Sequence, residues 1–94
     1  MQAEIYHLSE QLGSALLQQG TTVTTAESCT GGGVAHAITA VAGSSSWFNC
    51  GFVTYANSAK QRMLGVPSDI IERDGAVSEA VVRQMAIGAA EEAG

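Results

Sequence analysis

The segment TTAESCTGGG, from Thr24 to Gly33, joins a strand-like run to three consecutive glycines. The run from Thr21 to Ala26 is short and rich in β-branched residues, which predicts a strand. The glycines stand at the start of a predicted helix from Gly32 to Ala42. Because a hydroxyl at a strand-to-helix turn lies beside backbone amides that no side chain covers, Ser28 is the first candidate for a reactive group.

Helical spacing and stop signals predict the neighbouring elements. An opening amphipathic helix should end at Gly20, a residue that readily adopts the left-handed stop conformation. After a serine loop at 44–46, the segment from Trp47 to Ala56 is typical of a buried strand. A short helix from Ala59 to Leu64 is expected to be capped by Asn57 or Ser58. The apolar stripe of the opening helix comprises Ile5, Leu8, Leu12, Ala15 and Leu16.

Two further helical segments follow. Ser68 to Arg73 predicts a helical turn, and a final helix should begin with Ser78 as its N-cap. The side chains predicted to face inward are Val34, Ile38 and Val41 in the second helix and Val81, Val82, Met85 and Ala89 in the final one.

The alternation of helices and strands predicts an α/β class, with helices layered around a central sheet. Strand, helix and strand from Thr21 to Ala56 are interpreted as one crossover unit. A two-stranded sheet leaves open edges and bare faces, so further chain or a partner subunit is expected to complete it. Residues 1–94 are therefore interpreted as a single domain that is incomplete on its own.

Composition and charge exclude several functional classes. The 94 residues are 46% hydrophobic, which is enough for one globular core. A net charge of -5 leaves no basic stripe for a nucleic-acid backbone or an anionic membrane surface. The interval between Glu27 and Lys60 lacks charges apart from a histidine, but it is too polar for a membrane-spanning helix. Cys29 and Cys50 have no metal-ligand spacing and are interpreted as small, buried, reduced thiols of a cytoplasmic protein.

Three side chains are candidates for catalysis. Ser28 needs a neighbouring base to become nucleophilic, and by itself it is more typical of a cap or turn. In TYANSAK, Tyr55 ends a strand and Lys60 lies five residues on, so both can point to one place. Either is able to accept the serine proton, although an ordinary strand aromatic and a solvated lysine fit the same pattern. The histidines, His7 and His36, are assigned packing or surface roles.

Residues near Ser28 have less specific patterns. Cys29 is in principle a better nucleophile, but neighbours at a strand end point to opposite sides, so only one of the two should face a pocket. Glu27 is interpreted as a cap of local backbone. The loop at Ser44 and Ser45 either connects elements or holds a phosphate. A Walker phosphate loop is excluded, because the glycines are not followed by lysine and a hydroxyl.

Three separated blocks resemble one known family. The blocks are TTAESCTGGG, AGSSSWFNCGFVTYANSAK and GAVSEAVVRQMAIGA. From about Leu8 onward, the sequence resembles the C-terminal domain of the competence and damage-inducible CinA family, the nicotinamide-nucleotide amidases. The resemblance implies an α/β/α sandwich that works without a metal or other cofactor and forms a homo-oligomer. It also implies that the domain continues into a further strand and a glycine loop, so that residues 1–94 hold its N-terminal part.

The activity implied by the resemblance is hydrolysis of nicotinamide mononucleotide to nicotinic acid mononucleotide and ammonia. By matching position, the resemblance makes Ser28 the nucleophile and Tyr55 and Lys60 its tyrosine and lysine partners. The small nucleotide is then the expected partner, with no nucleic acid and no membrane. The residues expected to bind substrate are Thr30, Gly31, Gly32, Ser44 and Ser45.

Other functions stay open at this point. A non-catalytic nucleotide-binding or protein-interaction module linked to competence or DNA damage would use Ser28 only as a phosphate ligand. The acidic net charge argues against direct DNA contact, but not against a protein partner. A fragment that merely retains the fold is a third interpretation. Whether Tyr55 or Lys60 takes the first proton is equally open.

Overall fold

The computed structural model describes residues 1–94 as five α-helices and two β-strands. In chain order the elements are α1 (Ala3–Gln19), β1 (Val23–Glu27), α2 (Gly33–Thr39), β2 (Phe48–Val53), α3 (Asn57–Leu64), α4 (Ser68–Asp74) and α5 (Glu79–Ala93), with a turn of 3-10 helix at Ser44–Ser46. Every predicted element is present, with ends shifted by a few residues. No helix combines the length and the apolar character needed to cross a bilayer.

The two strands pair in parallel, which confirms the predicted crossover through α2. Val23 lies opposite Phe48 but Thr25 lies opposite Gly51, so β2 contains one extra residue there and forms a bulge. The bulge brings Gly51 to the side of the sheet on which Phe48 lies, since a Cβ at Gly51 would meet the Phe48 ring at 3.1 Å.

Helices cover both faces of the sheet, which confirms the α/β layered class. On one face Ile38, Trp47 and Phe48 form a small buried cluster, and Val23 of β1 packs against it. On the other face the strands contribute Ala26 and Phe52 to a larger cluster. The buried members of that cluster, from α3 to α5, are Leu64, Val66, Ile71, Val81, Met85 and Ala89.

The face of α1 that packs on the protein differs from the predicted apolar stripe. Ile5, Leu8 and Leu12 are exposed, whereas Ser9 and Gly13 are buried. A Cβ at Gly13 would lie 2.5 Å from Cζ2 of Trp47, which is only 2% exposed. The close approach of the α1 backbone to this indole ring therefore decides which face is buried. The predicted stop is confirmed, because Gly20 has φ 66° and ends the helix.

The other helices follow their local signals in most respects. Ser78 caps α5 by accepting a hydrogen bond from the Val81 amide at 3.3 Å. The prediction that Val82 faces the core is wrong, because this side chain is 60% exposed. The predicted cap of α3 is also wrong, since the helix begins at Asn57 and its N-cap, Ala56, has no side-chain hydrogen bond.

Candidate functional site

The chain leaves β1 through a tight turn that carries Ser28. Gly31 and Gly32 both have positive φ, 60° and 98°, which a residue with a Cβ adopts only under strain. The Gly31 amide donates to the Ser28 carbonyl at 2.9 Å, and the Gly33 amide donates to the Thr30 carbonyl at 3.0 Å. These two overlapping turns hold Ser28 between the strand and the start of α2.

The Glu27 side chain closes the same turn from inside the protein. It is 5% exposed, and its Oε1 accepts hydrogen bonds from Thr30 Oγ1 at 2.7 Å and from the Val34 amide at 2.9 Å. Its Oε2 accepts a hydrogen bond from the Ala35 amide at 3.0 Å. The interpretation of Glu27 as a cap of local backbone is confirmed, and Glu27 rather than Ser28 caps α2.

These hydrogen bonds also decide the charge of Glu27. Burial acts to raise the pKa of its carboxyl group, because a buried carboxylate loses hydration. The hydrogen bonds from Thr30 and from the amides at the start of α2 outweigh burial, so the pKa of Glu27 lies below its ordinary value. The site therefore contains a carboxylate that is already fully engaged by donors.

Two amides beside Ser28 remain free. The backbone N–H groups of Cys29 and Thr30 make no hydrogen bond within the chain, whereas those of Gly31 and Gly33 are used in the turn. An oxygen that carries negative charge near Ser28 would find these two donors already in place. The expectation of free amides in this turn therefore applies to Cys29 and Thr30, because the Gly31 amide already donates to the Ser28 carbonyl.

Lys60 is a buried member of the site. Its side chain is 2% exposed, so the interpretation of a solvated lysine is wrong. Nζ donates to the Tyr55 carbonyl and to Asn57 Oδ1, both at 3.2 Å, and no carboxylate lies within ion-pair distance. The ammonium group therefore has only neutral acceptors within the chain.

The paired strands bring Tyr55 to the same edge as Ser28. The Thr54 amide donates to the Glu27 carbonyl at 2.9 Å, which continues the sheet to the residues directly before Tyr55 and Ser28. Carboxyl ends of parallel strands meet at one edge of a sheet, so this juxtaposition follows from the topology. Tyr55 is 74% exposed and contributes to the site rather than to the core.

A cavity of about 400 Å³ joins these groups. Ser28, Thr30, Tyr55 and Lys60 all contribute to its lining. Its apolar wall consists of Ala26, Ala76, Val77, Val82 and Met85. The cavity therefore combines a polar end, which carries the candidate groups, with an apolar side formed mainly by α5 and the loop before it.

Other predicted site residues lie elsewhere. Gly31 and Gly32 lie in the turn after Ser28 and are not among the lining residues. Ser44 and Ser45 lie in the 3-10 turn outside the cavity. The structure does not bring the serine loop to this cavity, and a substrate contact by Ser44 or Ser45 stays a prediction.

The expected alternation of Ser28 and Cys29 is wrong. Both residues line the cavity, because they stand in the turn after β1 rather than in extended strand backbone. Cys29 is an exposed free thiol, so its interpretation as a buried side chain is wrong as well.

Sequence reasoning missed two kinds of lining residue. The sequence predicts Asn57 only as a helix cap, although its position three residues before Lys60 on one helix places the two side chains on one face. Nothing in the sequence indicates that Val77 or Val82 lines a cavity, because the cavity forms only when α5 packs on the sheet.

Comparisons with known proteins find similar sequences along nearly the whole chain. The sequence profile of the family described as "CinA C-terminal domain" matches residues 5–94. Nicotinamide-nucleotide amidohydrolase PncC from Escherichia coli K12 is 61% identical over 87 residues, which cover 93% of this chain and 53% of that protein. A CinA-like protein from Citrifermentans bemidjiense is 54% identical over 87 residues, covering 93% of this chain and 21% of that protein.

A solved structure has the same fold over nearly the whole chain. The crystal structure of competence/damage inducible protein CihA from Agrobacterium tumefaciens superposes with a TM-score of 0.95 at 43% identity. The match covers 98% of this chain and 56% of that one. The chain thus spans about half the length of the curated E. coli relative and of the solved structure.

Proposed function

Because the chain belongs to the CinA C-terminal domain family, we propose that its protein is an amidohydrolase that deamidates nicotinamide mononucleotide with Ser28 as the nucleophile. The observation that carries the proposal is the shared cavity, whose lining includes Ser28, Tyr55 and Lys60. The name of the E. coli relative supports the substrate, since that protein is a nicotinamide-nucleotide amidohydrolase.

The proposed reaction has two halves. In the reacting state the Tyr55 and Lys60 pair lacks one proton, so that it is able to act as a base. Ser28 Oγ attacks the carboxamide carbon while its proton passes to this pair, which gives a tetrahedral oxyanion. The C–N bond then breaks, the nitrogen takes the proton and leaves as ammonia, and an ester to Ser28 remains. Water adds to this ester, the C–O bond to Ser28 breaks, and the serine recovers its proton as nicotinic acid mononucleotide is released.

The oxyanion is assigned to the free amides of Cys29 and Thr30. These donors follow Ser28 directly and have no competing acceptor in the chain. Donors fixed before the reaction stabilise the developing charge without reorganisation, and loss of one such donor typically costs roughly 2.7 to 4 kcal/mol. The hydrogen bonds of Glu27 to Thr30 and to α2 support this arrangement by holding the turn.

The surroundings of Lys60 support a role next to the reacting atoms. A buried ammonium without a carboxylate partner favours negative charge nearby, because little solvent screens the attraction. Both the oxyanion and a phenolate at Tyr55 would carry such charge. The order in which Tyr55 and Lys60 handle the serine proton is left as one shared step.

The remaining features of the proposal come from the sequence and from the family resemblance. Thr30 is the expected substrate contact that lies in the cavity lining, while Gly31 and Gly32 shape the turn that carries it. Binding by Ser44 and Ser45, self-association, a cytoplasmic location and catalysis without a cofactor are parts of the proposal that rest on the sequence.

Ammonia release from nicotinamide mononucleotide by the full-length protein tests the proposal. Ser28→Ala should lower turnover by about a thousandfold or more, because removal of a nucleophile abolishes the covalent route. Tyr55→Phe and Lys60→Met should also lower turnover. Cys29→Ala is the matched control, since it alters the neighbouring side chain of the same turn and keeps the backbone amide.

Near-normal turnover by Ser28→Ala would remove the nucleophile assignment. An acyl-forming probe distinguishes the enzyme from a binding module, because only an activated Ser28 should become labelled. Absence of both labelling and ammonia release in the unaltered protein would reject the proposed function altogether.

A further inference from the structure

Asn57 makes a contact that its position in α3 does not require. It is the first residue of the helix, yet no side-chain hydrogen bond caps α3. Its Oδ1 instead accepts a hydrogen bond from Lys60 Nζ at 3.2 Å, and the residue lines the cavity. The side chain therefore serves the site rather than the end of the helix.

The chemistry of Lys60 decides which way the Asn57 amide points. A lysine ammonium has three donors and no acceptor, so the Asn57 atom that faces it must be the oxygen. The Nδ2 group then points away from Lys60, and it donates to no other group of the chain. Two N–H donors are thus held in a fixed orientation by a buried neighbour.

The other polar side chains of the lining have other roles. The Ser28 and Tyr55 hydroxyls and the Lys60 ammonium take part in the proposed reaction. The carboxylate of Glu27 only accepts, and the Thr30 hydroxyl already donates to it. Asn57 is the one neutral amide among the lining residues. An acceptor oxygen on a ligand beside Lys60 would therefore meet the Asn57 amide group.

We infer that Asn57 is a substrate-binding residue, oriented by Lys60, whose Nδ2 group donates to the oxygen of the reacting carboxamide and to the carboxylate of the product acid. The inference rests on the proposed function, because it takes Lys60 as a neighbour of the reacting centre. It adds to that function a side-chain contact by which the site recognises an oxygen on the reacting carbon.

An isosteric substitution separates the two ends of the Asn57 amide. Asn57→Asp keeps an oxygen for Lys60 but replaces the N–H donors by a second acceptor that carries charge. Asn57→Ala removes both ends. Ser58→Ala is the matched control, since Ser58 is the next residue of the same helix, is exposed, and lies outside the cavity lining.

Affinities are measured in the full-length protein on a Ser28→Ala background, by calorimetry with nicotinamide mononucleotide and with nicotinic acid mononucleotide. Asn57→Asp should weaken binding of the amide by roughly tenfold, the usual effect of one lost hydrogen bond. It should weaken binding of the acid by about a hundredfold or more, because two carboxylates would then face each other. Asn57→Ala should weaken both by roughly tenfold, and Ser58→Ala should stay within about twofold.

Unchanged affinities in Asn57→Asp would overturn the inference. Equal weakening of amide binding and acid binding would also overturn it, because such a result indicates only a disturbed helix end. Failure of the proposed function looks different, since the unaltered protein would then release no ammonia. If ammonia is released and Asn57→Asp still binds both ligands normally, the inference alone is wrong.

Discussion

Substitution of Gly88 by alanine should destabilise the protein by separating α3 from α5. Gly88 is buried in α5 and packs directly on the Leu64 carbonyl group. A Cβ at this position would overlap the Leu64 oxygen and lie 2.8 Å from its carbonyl carbon, whereas ordinary contacts are 3.4 Å or longer. The obstacle is backbone in a helix, so no side-chain rotation relieves the overlap.

The magnitude follows from two opposing effects. Overpacking a core typically costs about 1 to 3 kcal/mol, and a rigid backbone neighbour places this case at the upper end. Replacing glycine by alanine inside a helix recovers about 1 kcal/mol of helix propensity. The free energy of unfolding should therefore fall by about 2 kcal/mol.

The consequence extends to the candidate site, because both helices contribute residues to its lining. Lys60 lies one turn before Leu64 on α3, and Met85 lies one turn before Gly88 on α5. Moving the helices apart changes the distance between the buried ammonium and the apolar wall. A lower rate of the proposed ammonia release should accompany the loss of stability.

Urea unfolding of the full-length protein, followed by circular dichroism, measures the effect. Gly33→Ala is the matched control, since a Cβ there meets nothing within 4 Å. Like Gly88, Gly33 lies in a helix, in this case as the first residue of α2. This control should be neutral or slightly stabilising, by up to about 1 kcal/mol. A Gly88→Ala variant as stable as the parent would refute the reasoning from close backbone contact.

Two further predictions concern Glu27 and Gly13. Because hydrogen bonds hold the pKa of Glu27 below its ordinary value of 4.5, its stabilising contribution is complete above pH 4.5 and is lost as the pH falls through the lower folded pKa. Glu27→Gln should lower the free energy of unfolding by about 2 kcal/mol at pH 7. In urea unfolding at several pH values, the difference between variant and parent should shrink as the pH falls. A difference independent of pH would contradict this prediction. Gly13→Ala should lower the free energy of unfolding by about 1 to 3 kcal/mol, because its Cβ would lie 2.5 Å from the buried Trp47 ring. Thermal or urea unfolding measures this effect. An unchanged stability would show that α1 shifts without cost.

Local signals predicted elements better than they predicted faces. The left-handed stop at Gly20 and the cap at Ser78 are short-range effects, and both are confirmed. The apolar stripe of α1 failed as a guide, because a helix buries the side that fits its neighbour. Gly13 accommodates the Trp47 ring, whereas Leu8 stays exposed.

The candidate site shows the same division. Ser28, Tyr55 and Lys60 were selected from the sequence and from family resemblance, and the structure brings them to one cavity. The sequence does not predict which neighbouring groups these side chains contact. The acceptors of Lys60 and the role of Asn57 depend on how α3 turns toward the strand ends.

By itself, the amino-acid sequence determined the order of helices and strands, the α/β class and the turn that holds Ser28, because glycine stops, caps and β-branched runs act over a few residues. Tertiary structure alone decided which helix faces are buried and why Glu27 stays charged. It also left Lys60 without a carboxylate partner. These properties depend on distances between segments far apart in the chain, and such distances are set only when the helices pack on both faces of the sheet.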